Sequence, residues 1–144
     1  MAEAREHRIV VGIDGSQSSV DALSWAAQQA RLTGAVLEVV TTWQWPTSYG
    51  FGVIFPEGWD PSEDAKKVLD EAIEPVGRAH PEVRIRSRVV EGHPAPVLVA
   101  ASEGADLLVV GSRGHGEFAG MLIGSVSEHC VTNAHCPVLV LRGN

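Results

Sequence analysis

Hydrophobic and polar positions alternate between two patterns along the chain: short β-branched runs and longer apolar stripes at helical spacing. Arg8-Ile-Val-Val-Gly-Ile-Asp14 is a short apolar run that stops at the turn signal Asp14-Gly15-Ser16. A helix pattern follows, with Val20, Leu23, Ala26, Ala27 and Ala30 recurring on one face until Thr33-Gly34 ends it. Ser18 with Asp21 three residues on predicts the N-cap of that helix, a capping box with Asp in the usual Glu place. Val36 to Thr42 reads as a second strand and Pro61 to about Gly77 as a second helix, whose stripe is Ala65, Val68, Leu69, Ala72 and Ile73. The remaining elements are a strand from Val83 to Val90, a helix from Pro94 to Glu103, a strand from Ala105 to Val110, a helix from Gly124 to Ala134, and a strand from Pro137 to Leu141.

Four β-α units closed by a strand predict an α/β fold: one doubly wound parallel sheet of five strands with helices on both faces, in a single domain over residues 1–144. The fourth strand is apolar throughout and belongs in the sheet interior. The third alternates Val83 and Ile85 with Arg84, Arg86 and Arg88, which suits an edge strand protected by charge. The fifth, Val138-Leu-Val-Leu141, has no such protection and offers an edge for pairing with a second copy, so a homodimer through Pro137–Leu141 is expected.

Composition narrows the partners. A chain of 144 residues with 44% hydrophobic residues buries a core of ordinary domain size. A net charge of −7 and a pI near 5.3 argue against nonspecific binding to nucleic acid, which is driven by phosphate neutralisation. No stretch has the length of a membrane span or the form of a signal peptide, so a cytoplasmic protein without membrane contact is expected. The two cysteines, Cys130 and Cys136, do not make a disulfide framework. His129-Cys130 and His135-Cys136 match no zinc spacing, and a core role is expected for the cysteines rather than a metal site.

The chemistry concentrates in Gly111-Ser-Arg-Gly114-His-Gly116, followed by Gly124-Ser125. Strand, glycine-rich loop and helix start let backbone N–H groups and a helix N-terminus surround a phosphate. Gly111, Gly114 and Gly116 would take positive φ and let a ligand approach, while Gly124, Ser125 and Ser127 would offer N–H and hydroxyl groups, with Arg113 and His115 beside the phosphates. A tight strand-helix connection capped by Ser125 or Ser127 is the alternative. The loop has neither the Gly-Lys-Ser/Thr of a Walker A motif nor the spacing of a dinucleotide fingerprint. If strands one and four are neighbours, Asp14 and this loop face one crevice, where open sheets of this type bind ligands. Asp14 also fits an ordinary Asx bend.

The chain resembles the universal stress protein family over essentially its whole length. The resemblance rests on Val10-Val-Gly-Ile-Asp-Gly-Ser16, Glu91-Gly-His-Pro94, the Gly111-x2-Gly114-x9-Gly124-Ser125 spacing and Cys136-Pro-Val-Leu-Val140. It implies strand order 3-2-1-4-5, dimers, and ATP with Mg²⁺ at the switch point, the spaced glycines marking ATP-binding members. Carried over, Asp14 beside Ile13 approaches the ribose and the backbone around Thr41 contacts adenine. Gly111, Ser112, Arg113 and Gly114 line the ribose-phosphate path. Gly124, Ser125 and Val126 surround the outer phosphates, and Gly12 and Val90 wall the base pocket. His115 and Glu117 stand where relatives often carry Arg and Gly.

The function so implied is a nucleotide-dependent regulatory module of the stress response. The same scaffold leaves open a cyclic AMP binder, a slow ATPase, or an interaction protein with a vestigial nucleotide site. No catalytic set stands out, with neither a GxSxG elbow nor an HExxH motif. The connection from Trp43 to Trp59 holds six of the eight aromatic residues, Trp43, Trp45, Tyr49, Phe51, Phe55 and Trp59, and reads as a flap or partner-docking patch, or as local packing.

Overall fold

Five apolar runs line up as parallel strands, and their order decides which of them needs charge at its surface. The structure, a computed structural model, describes residues 6–45, 56–113 and 123–142. Strands β1 (Arg8–Gly12), β2 (Val36–Trp43), β3 (Ile85–Glu91), β4 (Leu107–Gly111) and β5 (Val138–Leu141) form one sheet in the order β3-β2-β1-β4-β5, with every pairing parallel. This is the order and the parallel topology the sequence implied. Helices α1 (Gln17–Thr33), α2 (Pro61–Ala79), α3 (Pro94–Ala101) and α4 (Ser125–Asn133) make the crossovers.

Strand alternation divides the core between two layers. Ile9 and Val11 pack with Leu23 and Ala26 of α1 and Leu69 of α2, whereas Val10 packs with Leu98 of α3 and Cys130 of α4. β4 feeds both layers, Val109 one way and Leu108 and Val110 the other, which is why its run is apolar without interruption. The exposed arginines of β3 lie on one edge, where Arg86 donates to Glu6 at 2.8 Å, and β5 forms the other. Cys130 is a core residue; burial pushes its thiol up to about 11, so it stays protonated at neutral pH.

Among the described residues, Glu38 of β2 is the one charged side chain that is buried. Arg8 donates to one of its oxygens and Arg88 to the other, the latter at 3.4 Å. The same Arg8 guanidinium donates to the carbonyls of Ala101 at 2.9 Å and Glu103 at 2.8 Å. One planar fork thus joins β1 and β2 to the end of α3.

Some boundaries differ from the sequence expectation. The N-cap of α1 is Ser16, not Ser18: its hydroxyl accepts the Ser19 N–H at 3.2 Å, and Asp14 holds Ser16 in place by accepting from its N–H at 2.9 Å. Ser18 lies inside the first turn instead, against β4. α3 stops at Ala101 rather than Glu103, because the Ser102 hydroxyl turns back to the Val99 carbonyl at 2.6 Å and Gly104 then reverses the chain at φ +75°. Gly34 ends α1 as expected, in the left-handed conformation at φ +74° with its N–H on the Ala30 carbonyl.

Candidate functional site

The strand order reverses between β1 and β4, and a cavity of about 360 Å³ opens just beyond the C-terminal ends of β1, β2 and β4. The chain leaving β1 stays pinned there. The Ile13 N–H donates to the Val40 carbonyl and the Thr41 hydroxyl donates to the Ile13 carbonyl, both at 2.8 Å. Gly15, at φ +85°, completes the turn into α1. Asp14 makes the Asx bend and also lines the cavity, so the two readings of this residue describe one geometry.

The floor is apolar: Val40, Val110 and Leu98, the last lying over Gly12, where an added Cβ would meet Leu98 Cδ1 at 2.7 Å. One wall is the start of α2, with Pro61, Asp64 and Val68; the other is Pro94 of α3 and Val126 of α4. The two ends differ chemically and lie about 10 Å apart, two strand spacings. At the β2 end stand Trp43 and Gln44; at the β4 end stand Gly111, Arg113 and the first turn of α4.

The β4 end is closed by its own backbone. Gly124 donates its N–H to the Ser112 carbonyl at 2.5 Å, Ser112 donates to Leu141, and the Ser127 hydroxyl donates to the Gly111 carbonyl. Two expectations are corrected by this arrangement. Gly111 does not take positive φ; as the last residue of β4 it lacks a Cβ because one would lie 2.2 Å from Ser18 Oγ and 2.9 Å from the Ser18 backbone. The Gly124 N–H and the Ser127 hydroxyl proton are already committed within the fold, so neither is offered to an anion. Gly124 is itself the N-cap of α4, without a side-chain cap bond. What remains for a ligand is the set of first-turn amides of α4, such as Val126 and Ser127, which have no intrahelical acceptor and lie at the positive end of the helix.

The cavity brings together Gly12, Ile13, Asp14, Thr41, Gly111, Arg113, Val126 and Ser127 of the sequence-predicted residues. Val90 is not on its wall but packs against the α3–α4 core layer. Ser112 is buried behind Gly111, and Gly124 and Ser125 begin α4 without lining the cavity. Gly114, His115, Gly116 and Glu117 lie outside the described residues, as do Tyr49, Phe51 and Phe55. Sequence reasoning missed Ser19, Gln44, Pro61, Asp64, Val68, Pro94 and Leu98 as cavity residues. Asp60-Pro61, a capped helix start, and Glu91-Gly-His-Pro94 were the available signals, since both mark chain re-entering the crevice.

The described parts of the aromatic connection pack on themselves. Trp45 stands edge-on between Trp43 and Trp59, each pair 5.9 Å between centroids, and the Trp59 indole N–H donates to Asp64 Oδ2 at 3.1 Å. Among the described residues no group of three or more His, Cys, Asp or Glu is placed to hold a metal ion. None of their helices is long and apolar enough to cross a membrane.

Comparison with known proteins fits this geometry. Residues 6–142 match the universal stress protein family. "Universal stress protein Rv2623" of Mycobacterium tuberculosis is 36% identical over 148 residues, covering 99% of this chain and 47% of that protein. The chain therefore spans about half the length of the curated relatives it matches. A crystal structure of a universal stress protein in complex with cAMP superimposes with a TM-score of 0.70 at 31% identity, covering 96% of this chain and 98% of that one. A universal stress protein from Archaeoglobus fulgidus in complex with dAMP shares the fold, with a TM-score of 0.67 at 24% identity over 95% of this chain and 98% of that one.

Proposed function

The chain belongs to the universal stress protein family, and from there we propose that it binds an adenine nucleotide, ATP first, in the crevice beyond β1, β2 and β4. The observation that carries this reading is the polarity of the cavity. Its β4 end combines Arg113 with the positive end of α4, a setting for phosphate. Its β2 end, beside Trp43 and over an apolar floor, suits a flat heterocycle. Gly12, Ile13, Asp14 and Thr41 would then face the ribose and base, and Gly111, Arg113, Val126 and Ser127 the phosphates, with Ser125 at the start of α4 beside the outermost of them. ATP would bring Mg²⁺, which keeps several waters and takes one or two carboxylates; Asp14, which lines the cavity just after β1, the neighbour of β4, is the carboxylate that would serve it.

A second reading, cyclic AMP on the same floor, is favoured by the relative solved with cAMP at 31% identity. The experiment is to denature freshly purified protein, identify any released nucleotide by mass spectrometry, and titrate stripped protein with ATP and with cyclic AMP. ATP is expected to be released or to bind the tighter. Ser125→Ala is expected to weaken ATP about tenfold, the loss of one hydrogen bond to a charged oxygen. Tighter cyclic AMP would favour the second reading. A folded protein that ignores both ligands overturns nucleotide binding and leaves an interaction protein.

The nucleotide state would serve a regulatory module of the stress response, presented by a homodimer. β5 supports the dimer: it is a half-buried apolar edge whose Val138 and Val140 backbone groups point away from β4. Light scattering is expected to give twice the 15.3 kDa chain mass, and a single-chain mass at micromolar concentration would rule the dimer out.

A further inference from the structure

The charge inside the cavity is uneven, and its least explained member is Asp64. We propose that Asp64 is the acceptor for the exocyclic amino group of the base, a specificity-determining residue of the nucleotide site; the proposal rests on the adenine-nucleotide reading above. Asp64 stands in the first turn of α2 and lines the cavity wall. Its Oδ2 accepts the Trp59 indole N–H, and its Oδ1 takes no bond among the described residues. The indole bond fixes the carboxylate on an otherwise exposed helix surface. Trp59 is itself held edge-on to Trp45, and Trp45 to Trp43.

A carboxylate at this place sorts ligands by chemistry. It repels phosphate, so the phosphates go to the Arg113 and α4 end and the base comes to Asp64. An ionised carboxylate only accepts hydrogen bonds. Adenine linked through N9 carries N–H donors only on its 6-amino group; N1, N3 and N7 are acceptors. That amino group has two hydrogens, and the strand end at Thr41 lies on the same cavity, so one hydrogen can face β2 backbone and the other Asp64. Purine itself, which lacks only that amino group, presents acceptors at N1, N3 and N7, and Asp64 then disfavours it.

The test compares ATP with purine riboside triphosphate, which lacks only the 6-amino group, by isothermal titration on the full chain. The wild-type chain is expected to prefer ATP about fivefold, a charge-assisted bond weakened by solvent exposure. Asp64→Ala should lower that ratio to about twofold, the part that a hydrogen bond to β2 backbone supplies. Asp64→Asn keeps an acceptor oxygen without the charge and should give an intermediate ratio. Because the side chain is exposed, both variants are expected to fold, which circular dichroism checks. If Asp64→Ala binds both ligands and keeps the wild-type ratio, Asp64 does not read the base and only this inference falls. If the wild-type chain binds neither ligand, the nucleotide reading falls with it.

Discussion

Gly111→Ala is expected to lower stability by roughly 2–3 kcal/mol and the melting temperature by about 10 °C, although it adds one methyl group. The methyl would sit 2.2 Å from Ser18 Oγ and 2.9 Å from both the carbonyl carbon and the oxygen of Ser18. The hydroxyl can rotate away; the backbone of α1 cannot. Helix α1 would have to lift off the end of β4, and Leu23 and Ala26 would lose their fit to the sheet with it. Two other glycines serve as controls. At Gly12 the new methyl meets only Leu98 side-chain atoms, the nearest at 2.7 Å, so Gly12→Ala should cost less than half as much. At Gly34 there is open space, and the cost is the φ of +74° alone, about 1 kcal/mol. Urea and thermal unfolding of the three variants decide the matter. If Gly111→Ala melts within 2 °C of wild type, α1 does not rest on Gly111 as described. The same change should also weaken nucleotide binding, because the Gly111 carbonyl receives the Ser127 hydroxyl and sets where α4 begins.

That glycine shows where sequence reading succeeds and where it stops. The position was legible, because a glycine ending an apolar run before further glycines stands out; its reason was not. Sequence offered positive φ, whereas the structure gives a helix crossing so close that no Cβ fits. The distinction depends on which residue of α1 meets β4, and no periodicity within either segment contains that. The N-cap failed similarly. Ser16 and Ser18 are both capping residues, and the bonds that Ser16 donates to the Asp14 carboxylate select between them. Strand identity, helix faces and the charged edge strand were legible because each depends on local alternation of apolar and polar residues. The site was legible along β1 and β4, where glycines and a turn mark the strand ends. It was not legible at α2, where Asp64 reads as an ordinary first-turn acid.

Breaking the buried ion pair is expected to have the largest effect of any exchange outside the apolar core. Glu38→Ala leaves the Arg8 guanidinium with carbonyl partners but no counter-charge, and Arg8→Ala leaves Glu38 with only the 3.4 Å contact to Arg88. Each should cost about 3–5 kcal/mol, since an uncompensated charge in the interior is worse than no charge at all. Arg8→Ala should be the more harmful of the two, because it also frees the Ala101 and Glu103 carbonyls at the end of α3. Arg8→Lys should recover little, as a single ammonium cannot span the carboxylate and two carbonyls in a plane. The paired replacement Arg8→Met with Glu38→Leu separates charge pairing from packing. It removes both charges while keeping volume, and it should lie nearer to wild type than either alanine variant. A cycle of urea unfolding curves built on Arg8→Met, Glu38→Leu and their combination measures the coupling, expected at about 2 kcal/mol or more. If the two changes simply add, the carboxylate and guanidinium act independently, and the ion pair does not tie the β1–β2 ladder to the end of α3.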